Sequence, residues 1–484
     1  MTARAHSKNG RRAPARAGQN SSTLIIVLWI AFGLVSLALY FANSMTFELR
    51  ASDNRVSAQS ADEAIDGAAR YISSTLSYNA TNGVLPDITT YSNAAVPVGE
   101  SHFWLIGRDT NNPVGPGKLC FGLVDEASKL NLNSATSNQL VWLPRMTTDL
   151  TSAILDWRST NGPGTTETYY EMLQPAYECK NAPFETVDEL RLLYGASMDI
   201  LVGEDANRNG ILDPNENDEN QNGMLDAGVL EYVTVYSREP NPATNSSGTG
   251  RVNISTLTSS TTSGSSRNLN TLLQSSFGQS RATQILTRLG ITTGGGSSST
   301  NTPTGGSRSG GAAGAPTPIP FASALQFYRR SGMTSTEFAQ IANSLVTTTN
   351  SYILGRVNVN TASAPVLAAL LGGDTGAGQL LVNYRQSNAG NLNSIAWLMD
   401  ALGQNYSSYE SLLEAGDYLT TQSYQFAADV AALGPHGRGY RRVRFIFDTS
   451  NGTPQIIYRQ DLSQLGWALG NDIRQTWLAA KDTR

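Results

Sequence analysis

The sequence predicts an α+β protein: a long N-terminal helix packed on an antiparallel sheet, with a helical region inserted between the parts of that sheet. Three observations predict it. Residues 24–42 are apolar without interruption and run on into a helix-period pattern, a short strand-then-helix signature recurs three times in mid-chain, and residues 417–484 change to a strand period.

At 484 residues the chain has room for about three domains. A 40% hydrophobic content suffices for real cores, while 45 Gly and a charged fraction of 15% mark a part that packs none. The formal charge of −5 hides an asymmetry, because residues 1–20 hold Arg4, Lys8, Arg11, Arg12 and Arg16 with no acid. Beyond them stand 29 bases against 39 acids. Two cysteines exclude a disulfide scaffold and a four-thiolate zinc site, and His6, His102 and His436 leave little for histidine chemistry. No G-x-S-x-G or H-E-x-x-H occurs, and the paired acids Asp62-Glu63 and Asp188-Glu189 lie in helical patterns, with Asp125-Glu126 at a strand end. The chain is therefore expected not to be an enzyme.

Leu24–Ala42 is uncharged and about 19 residues long, enough to span the roughly 30 Å hydrocarbon layer as a helix. It is too long for the apolar core of a cleaved signal peptide. The upstream positive charge predicts a cytoplasmic N-terminus and an extracytoplasmic bulk, a single-pass inner-membrane arrangement. Apolar or small residues then recur at Val56, Ala58, Ala61, Ala64, Ile65, Ala68, Ile72 and Leu76, mostly three or four apart, and no proline interrupts residues 23–76. One continuous helix follows, amphipathic in its second half.

The repeat reads KLNLNS at Lys129–Ser134, RVNIST at Arg251–Thr256 and RVNVNT at Arg356–Thr361. In the third copy Val357 and Val359 alternate as a short strand. Thr361 or Ser363 then caps a helix with Pro365 in its first turn, which ends at Gly372-Gly373. Such units resemble helix-hairpin-helix or SAM-like domains, which offers a DNA-binding alternative through a glycine-rich hairpin at Gly372, Gly373, Gly376 and Gly378. Asp374 inside that hairpin and the acidic ectodomain oppose it, since a duplex binder needs basic charge, and no nucleic-acid partner is expected.

Between the first two copies lies an acidic insert. Its first loop places Asp205, Asn207, Asn209, Asp213 and Glu216 at positions 1, 3, 5, 9 and 12 of a calcium-type loop, with Gly210 at the turn and the Ile211 carbonyl at position 7. Leu212 is expected to point inward. A second loop repeats the pattern with Asp218, Asn220, Asn222, Met224 and Asp226 but has Val229 at position 12, and Glu231 substitutes there only if the loop is irregular. Eight acids against Arg208 alone between Glu204 and Glu231 call for a counterion, so structural calcium is the expected cofactor.

The tail alternates or runs apolar over Tyr424–Ala432, Tyr440–Asp448 and Thr453–Arg459, with DTSNG as a hairpin turn. The organisation is thus a basic leader (1–23), a spanning helix (24–42), the N-terminal part of a head (43–128), a first helical unit with the insert (129–240), a degenerate second repeat (241–291), a Gly/Ser/Thr-rich flexible linker (292–318), a helical region with the last unit (319–416) and the C-terminal sheet of the head (417–484). Cys120 and Cys179 are a candidate disulfide in an oxidising compartment.

The basic leader, apolar helix, FGLVDEASKLNLN segment, RVNVNTASAPVL, calcium-type loop and C-terminal sheet, in this order, resemble the K-type minor pseudopilin of type II secretion (general secretion pathway protein K family). The resemblance implies a pilin-like head and a non-enzymatic subunit at the tip of the periplasmic pseudopilus. Its partners would be the other minor pseudopilins (I- and J-type), the major pseudopilin, secreted cargo and the outer-membrane channel. It also implies prepilin cleavage between Gly18 and Gln19, although five residues, Gln19 to Thr23, separate that glycine from the apolar run; Thr23 then stands where type IV pilin-like proteins usually have glutamate, a departure that the K-type class shares. A membrane-anchored, calcium-stabilised surface or adhesin-like protein is the alternative.

Overall fold

The computed structural model describes residues 19–78, 83–108, 110, 118–162, 164–245, 247–262, 264–293 and 317–481. Gly18 and nearly all of the 292–318 linker lie outside them.

α1 (Gln19–Ser77) is one helix of 59 residues, about 88 Å long at 1.5 Å per residue. Every side chain from Thr23 to Val56 is exposed, and among the described residues this is the one helix long and apolar enough to cross a membrane. Further along, Ala61, Ala64, Ile65, Ala68, Ile72 and Leu76 are buried on one stripe. They pack on a six-stranded sheet of β1 (Val96–Val98), β2 (Ser101–Ile106), β3 (Val124–Asp125), β4 (Gln425–Leu433), β5 (Arg441–Asp448) and β6 (Gln455–Asp461), in the order β1-β2-β4-β5-β6 with β3 also on β4. All pairings are antiparallel, with Leu105 opposite Val430 and Val430 opposite Val443.

Small residues set the helix-to-sheet approach: Ala61, Ala64 and Ala68 meet a face carrying Ala428 and Ala432 beside Phe103, Leu105, Val430, Phe445 and Phe447. Burying Ile65 and Ile72 there contributes about 1.5–3 kcal/mol each. The opposite face, with Trp104, Ile106, Ala431 and Leu433, is covered by Ala468, Leu469 and residues Ile473 and Trp477 of the C-terminal helix Gly470–Lys481. β4 is therefore buried along its whole length, which is why its sequence runs apolar instead of alternating. The DTSNG turn joins β5 to β6, with Ser450 N–H on Asp448 Oδ1 and Gly452 at φ +82°.

The three repeats fold on one plan. Each opens with a two-residue strand and closes with a parallel partner at the far end of its unit: Leu130–Asn131 with Val233–Thr234, Val252–Asn253 with Leu345–Val346, Val357–Asn358 with Leu419–Thr420. In each, the repeated asparagine (Asn131, Asn253, Asn358) turns the chain by accepting the N–H two residues on, at 2.9, 2.9 and 3.0 Å. Arg158 donates to the carbonyls of Leu132 and Ala135 in the first unit, and Arg385 to the equivalent Val359 and Ala362 in the third. Among the described residues of the second unit no such arginine is found. There the carbonyls of Ile254 and Leu257 take the N–H groups of Phe321 and Ile319 instead.

The second repeat consequently does not end at 291. Its helix Gly264–Leu289, kinked at Gly278, continues into Ala324–Ser331 and Ser335–Ile341 before the closing strand. Ser259 holds both flanks of the linker: its carbonyl accepts Thr292 N–H, and its N–H donates to Thr317 O, both at 2.8 Å. The three units share one continuous apolar core, separate from that beneath α1.

Candidate metal centre

In the first loop Asp205 opens the turn, with Oδ1 accepting Asn209 N–H at 2.8 Å and Oδ2 accepting Gly210 N–H at 2.7 Å. Asn207 Oδ1 takes Asn209 N–H and Asn209 Oδ1 takes Ile211 N–H, so each side-chain oxygen keeps a second lone pair. Both amide nitrogens converge on Asp213 Oδ2, at 2.7 and 2.9 Å. Glu216 reaches back with Oε1 on Asn207 N–H and Oε2 on Asp213 N–H. The position-6 Gly210 has φ +86°, which favours glycine.

The second loop repeats the aspartate and asparagine bonds of this scheme. Asp218 accepts Asn222 and Gly223 N–H, Asn220 and Asn222 oxygens accept Asn222 and Met224 N–H, and both amide nitrogens meet Asp226 Oδ2. Glu204 closes this loop as Glu216 closes the first, but one position earlier: its Oε1 accepts Glu219 N–H and its Oε2 accepts Asp226 N–H, both at 2.8 Å. A short ladder places it there: Gly203 bridges Ala227, and Glu204 N–H donates to Asp226 O.

Glu231 is paired with Arg108 at 2.8 Å. Sequence reasoning missed Glu204 because it precedes the first loop; the signal was an acid left unassigned directly ahead of it. Leu212 is only half-buried, and Ile211 is the residue that turns inward.

Asp205, Asn207, Asn209 and Asp213 are each 6% exposed or less, whereas the second loop lies near the surface, with Met224 exposed. Burial pushes the Asp205 and Glu216 carboxyls up, and at Glu216 the charges of Asp205 and Asp213 add to the rise. The residue types along this turn, three carboxylates and two amides, are those a hard divalent cation takes, but among the described residues no group of three or more His, Cys, Asp or Glu side chains is placed to hold a metal ion.

The other expected sites are dispersed. No disulfide joins Cys120 to Cys179. Cys120 is in the head, its carbonyl accepting Gly107 N–H, while Cys179 is buried in the helical core, so the two thiols belong to different packing units. Gln19 begins α1. Gly372 and Gly373 adopt φ +73° and +90°, but their hairpin is occupied: Asp374 caps the next helix and accepts Tyr409 O–H, and the Trp142 ring lies where a Cβ at Gly373 would fall. Ser363 is the N-cap of the Ala364–Leu370 helix.

A helix-anchored α+β head carrying repeated helical units is the class these features define. Compared with known families, residues 128–202 match type II secretion system (T2SS), protein K. That span runs from the first repeat to the edge of the acidic insert. Among solved structures, the crystal structure of the GspK-GspI-GspJ complex from the enterotoxigenic Escherichia coli type 2 secretion system is similar at 10% identity, with a TM-score of 0.38 over 86% of this chain and 99% of that one. No curated protein matches the sequence.

Proposed function

We propose that the chain is the K-type minor pseudopilin of a type II secretion system, anchored by α1 with its N-terminus in the cytoplasm and its bulk in the periplasm. It is a structural subunit, not an enzyme. The observation that carries the reading is the family match over residues 128–202 in a chain whose sheet packs on the buried half of a spanning helix. The three units are SAM-like modules that enlarge the head. Such bulk blocks further helical stacking above the subunit and suits the tip of the pseudopilus, together with the I- and J-type minor pseudopilins and the major pseudopilin, where cargo and the outer-membrane channel are within reach. Leader cleavage falls between Gly18 and Gln19.

The first loop binds structural calcium, held by Asp205, Asn207, Asn209, the Ile211 carbonyl, Asp213 and Glu216. The second loop binds calcium through Asp218, Asn220, Asn222, the Met224 carbonyl and Asp226, completed by Glu204. The bound ion supplies positive charge to carboxylates that burial otherwise disfavours.

Pull-down of the full-length protein from detergent-solubilised envelopes tests the assignment. Recovery of small pilin-like proteins is expected, and their absence would favour a free-standing surface protein. Calcium is expected to raise the melting temperature, and Asp205→Ala with Glu216→Ala to abolish that gain; an unchanged gain refutes the site.

A further inference from the structure

Where the head meets the acidic insert, a largely buried cleft of about 30 Å³ lies among side chains from three parts of the chain. Arg108 follows β2, Asp429 and Arg444 come from β4 and β5, Lys129 opens the first repeat, and Arg208 and Glu231 belong to the insert. The backbone of the insert is pinned beside it. Arg442 of β5 donates to the Arg208 carbonyl at 2.8 Å, and Arg108 donates to the carbonyls of Arg208 and Asn209, each at 3.1 Å.

The carboxylates around the cleft are already taken. Glu231 is bidentate with Arg108 at 2.8 and 3.2 Å, Asp429 is bidentate with Arg442 at 2.8 and 2.6 Å, and Glu126 accepts Arg444 at 2.9 Å. Two cations are left over. The Lys129 ammonium, its side chain 7% exposed, stands 3.6 Å from Glu126 Oε1. The Arg208 guanidinium, on a side chain 10% exposed, stands 4.0 Å from Asp188 Oδ1, which Arg191 pairs at 3.4 Å. Among the described residues neither group donates a hydrogen bond, and Arg208 Nη1 is buried without a partner. Even with Asp205 3.9 Å from Arg108, this network holds one more base than acids. Burying such donors unfilled is costly. It pushes the Lys129 ammonium down and the Arg208 guanidinium down to about 10, as expected of cations short of a counter-charge.

We propose that this cleft binds a small monovalent anion, chloride by size and charge, with Lys129 and Arg208 as its donors and Arg108 and Arg444 completing the cationic wall. A water also fits the volume, but it brings no charge to a network with a base in excess. The anion fills donors that the protein leaves open. Because its donors come from the first repeat, the insert and the sheet, its binding favours the arrangement in which all three are docked.

The test titrates the full-length protein in detergent with sodium chloride, replacing sodium gluconate at constant ionic strength, and follows the melting temperature and the linewidth of the chloride NMR signal. Wild type is expected to gain about 2–4 °C at saturation and to broaden the signal. Lys129→Met and Arg208→Met are each expected to lose both responses while melting no lower than wild type in gluconate, because each removes a buried cation that lacks an acceptor there. Arg281→Gln, remote in the second unit, keeps both. Absence of a saturating response in wild type, the behaviour of a cleft that holds water alone, overturns the proposal. So does a gain that both methionine variants retain, which marks a general salt effect, and so do variants that melt lower than wild type by the same margin in both salts, which marks a structural role only. Should one variant not fold, the other and the wild-type signal decide it.

Discussion

Asp125 ends β3 with a fully buried carboxylate and no cation on it. Its acceptors take the N–H of Ala127 at 2.7 Å, the amide of Asn358 at 3.0 Å, and the hydroxyls of Thr361 and Ser423. Burial outweighs these bonds and pushes the carboxyl up to about 6. With a folded value above the unfolded one near 4, the folded state holds the proton more tightly. The stability this gives is fully present below about pH 4 and is lost as pH rises through about 6, a change on the order of 2–3 kcal/mol. Denaturation of wild type and Asp125→Asn between pH 4 and 8 checks it: the slope assigned to Asp125 disappears in the variant, and equal slopes refute the assignment. At the same scale, and on the proposed calcium reading, Glu204→Gln is expected to lower the calcium uptake of the second loop, read by calorimetry. The turns of the two acidic loops were legible because their order is local. Glu204 and the partners of Asp125 were not, since they come from other turns of the chain.

Among the elements, the repeat units show which part of a motif sequence can display. The opening strand and its asparagine stand out because they recur. The closing strands, YVTVYS, SLVTTT and YLTTQS, are paired over two residues each, too short for any periodicity. That is why the second unit, read as ending at 291, extends to Val346. The arginine clamp lay hidden for a different reason: Trp157-Arg158 and Tyr384-Arg385 occupy equivalent helices, but only the fold aims them at carbonyls. Arg385 is buried and serves Val359, Ala362 and Thr110. Arg385→Ala strips those carbonyls of donors and is expected to cost about 2–4 kcal/mol, since each unpaired buried group costs about 1–3 kcal/mol, seen as a lower denaturation midpoint. Gly373→Val meets both a positive φ and the Trp142 ring and is expected to loosen the contact between the first and third units, read as faster amide exchange at Trp142 and Leu143.

For the molecule as a whole, the long helix, the sheet at the two ends of the chain and the helical insertion were all legible, because each rests on a long periodic run. The way the units meet the head was not. That junction is polar: Asp125 joins the third unit, Arg238–Asp448 joins the chain after the first, and Arg108 and Arg442 join the acidic insert. Polar contacts between distant segments leave no period in a sequence.

One detail of the second unit carries a practical consequence. A single residue, Ser259, receives the chain on both sides of the Gly/Ser/Thr-rich stretch, so departure and return share an address. Whatever is spliced between positions 293 and 317 begins and finishes at the same spot, and doubling its length adds only about 0.6 kcal/mol of closure entropy. This makes the stretch a port for foreign cargo. An epitope or a small fluorescent domain placed there would report on the assembly while the head and its anchor keep their own geometry.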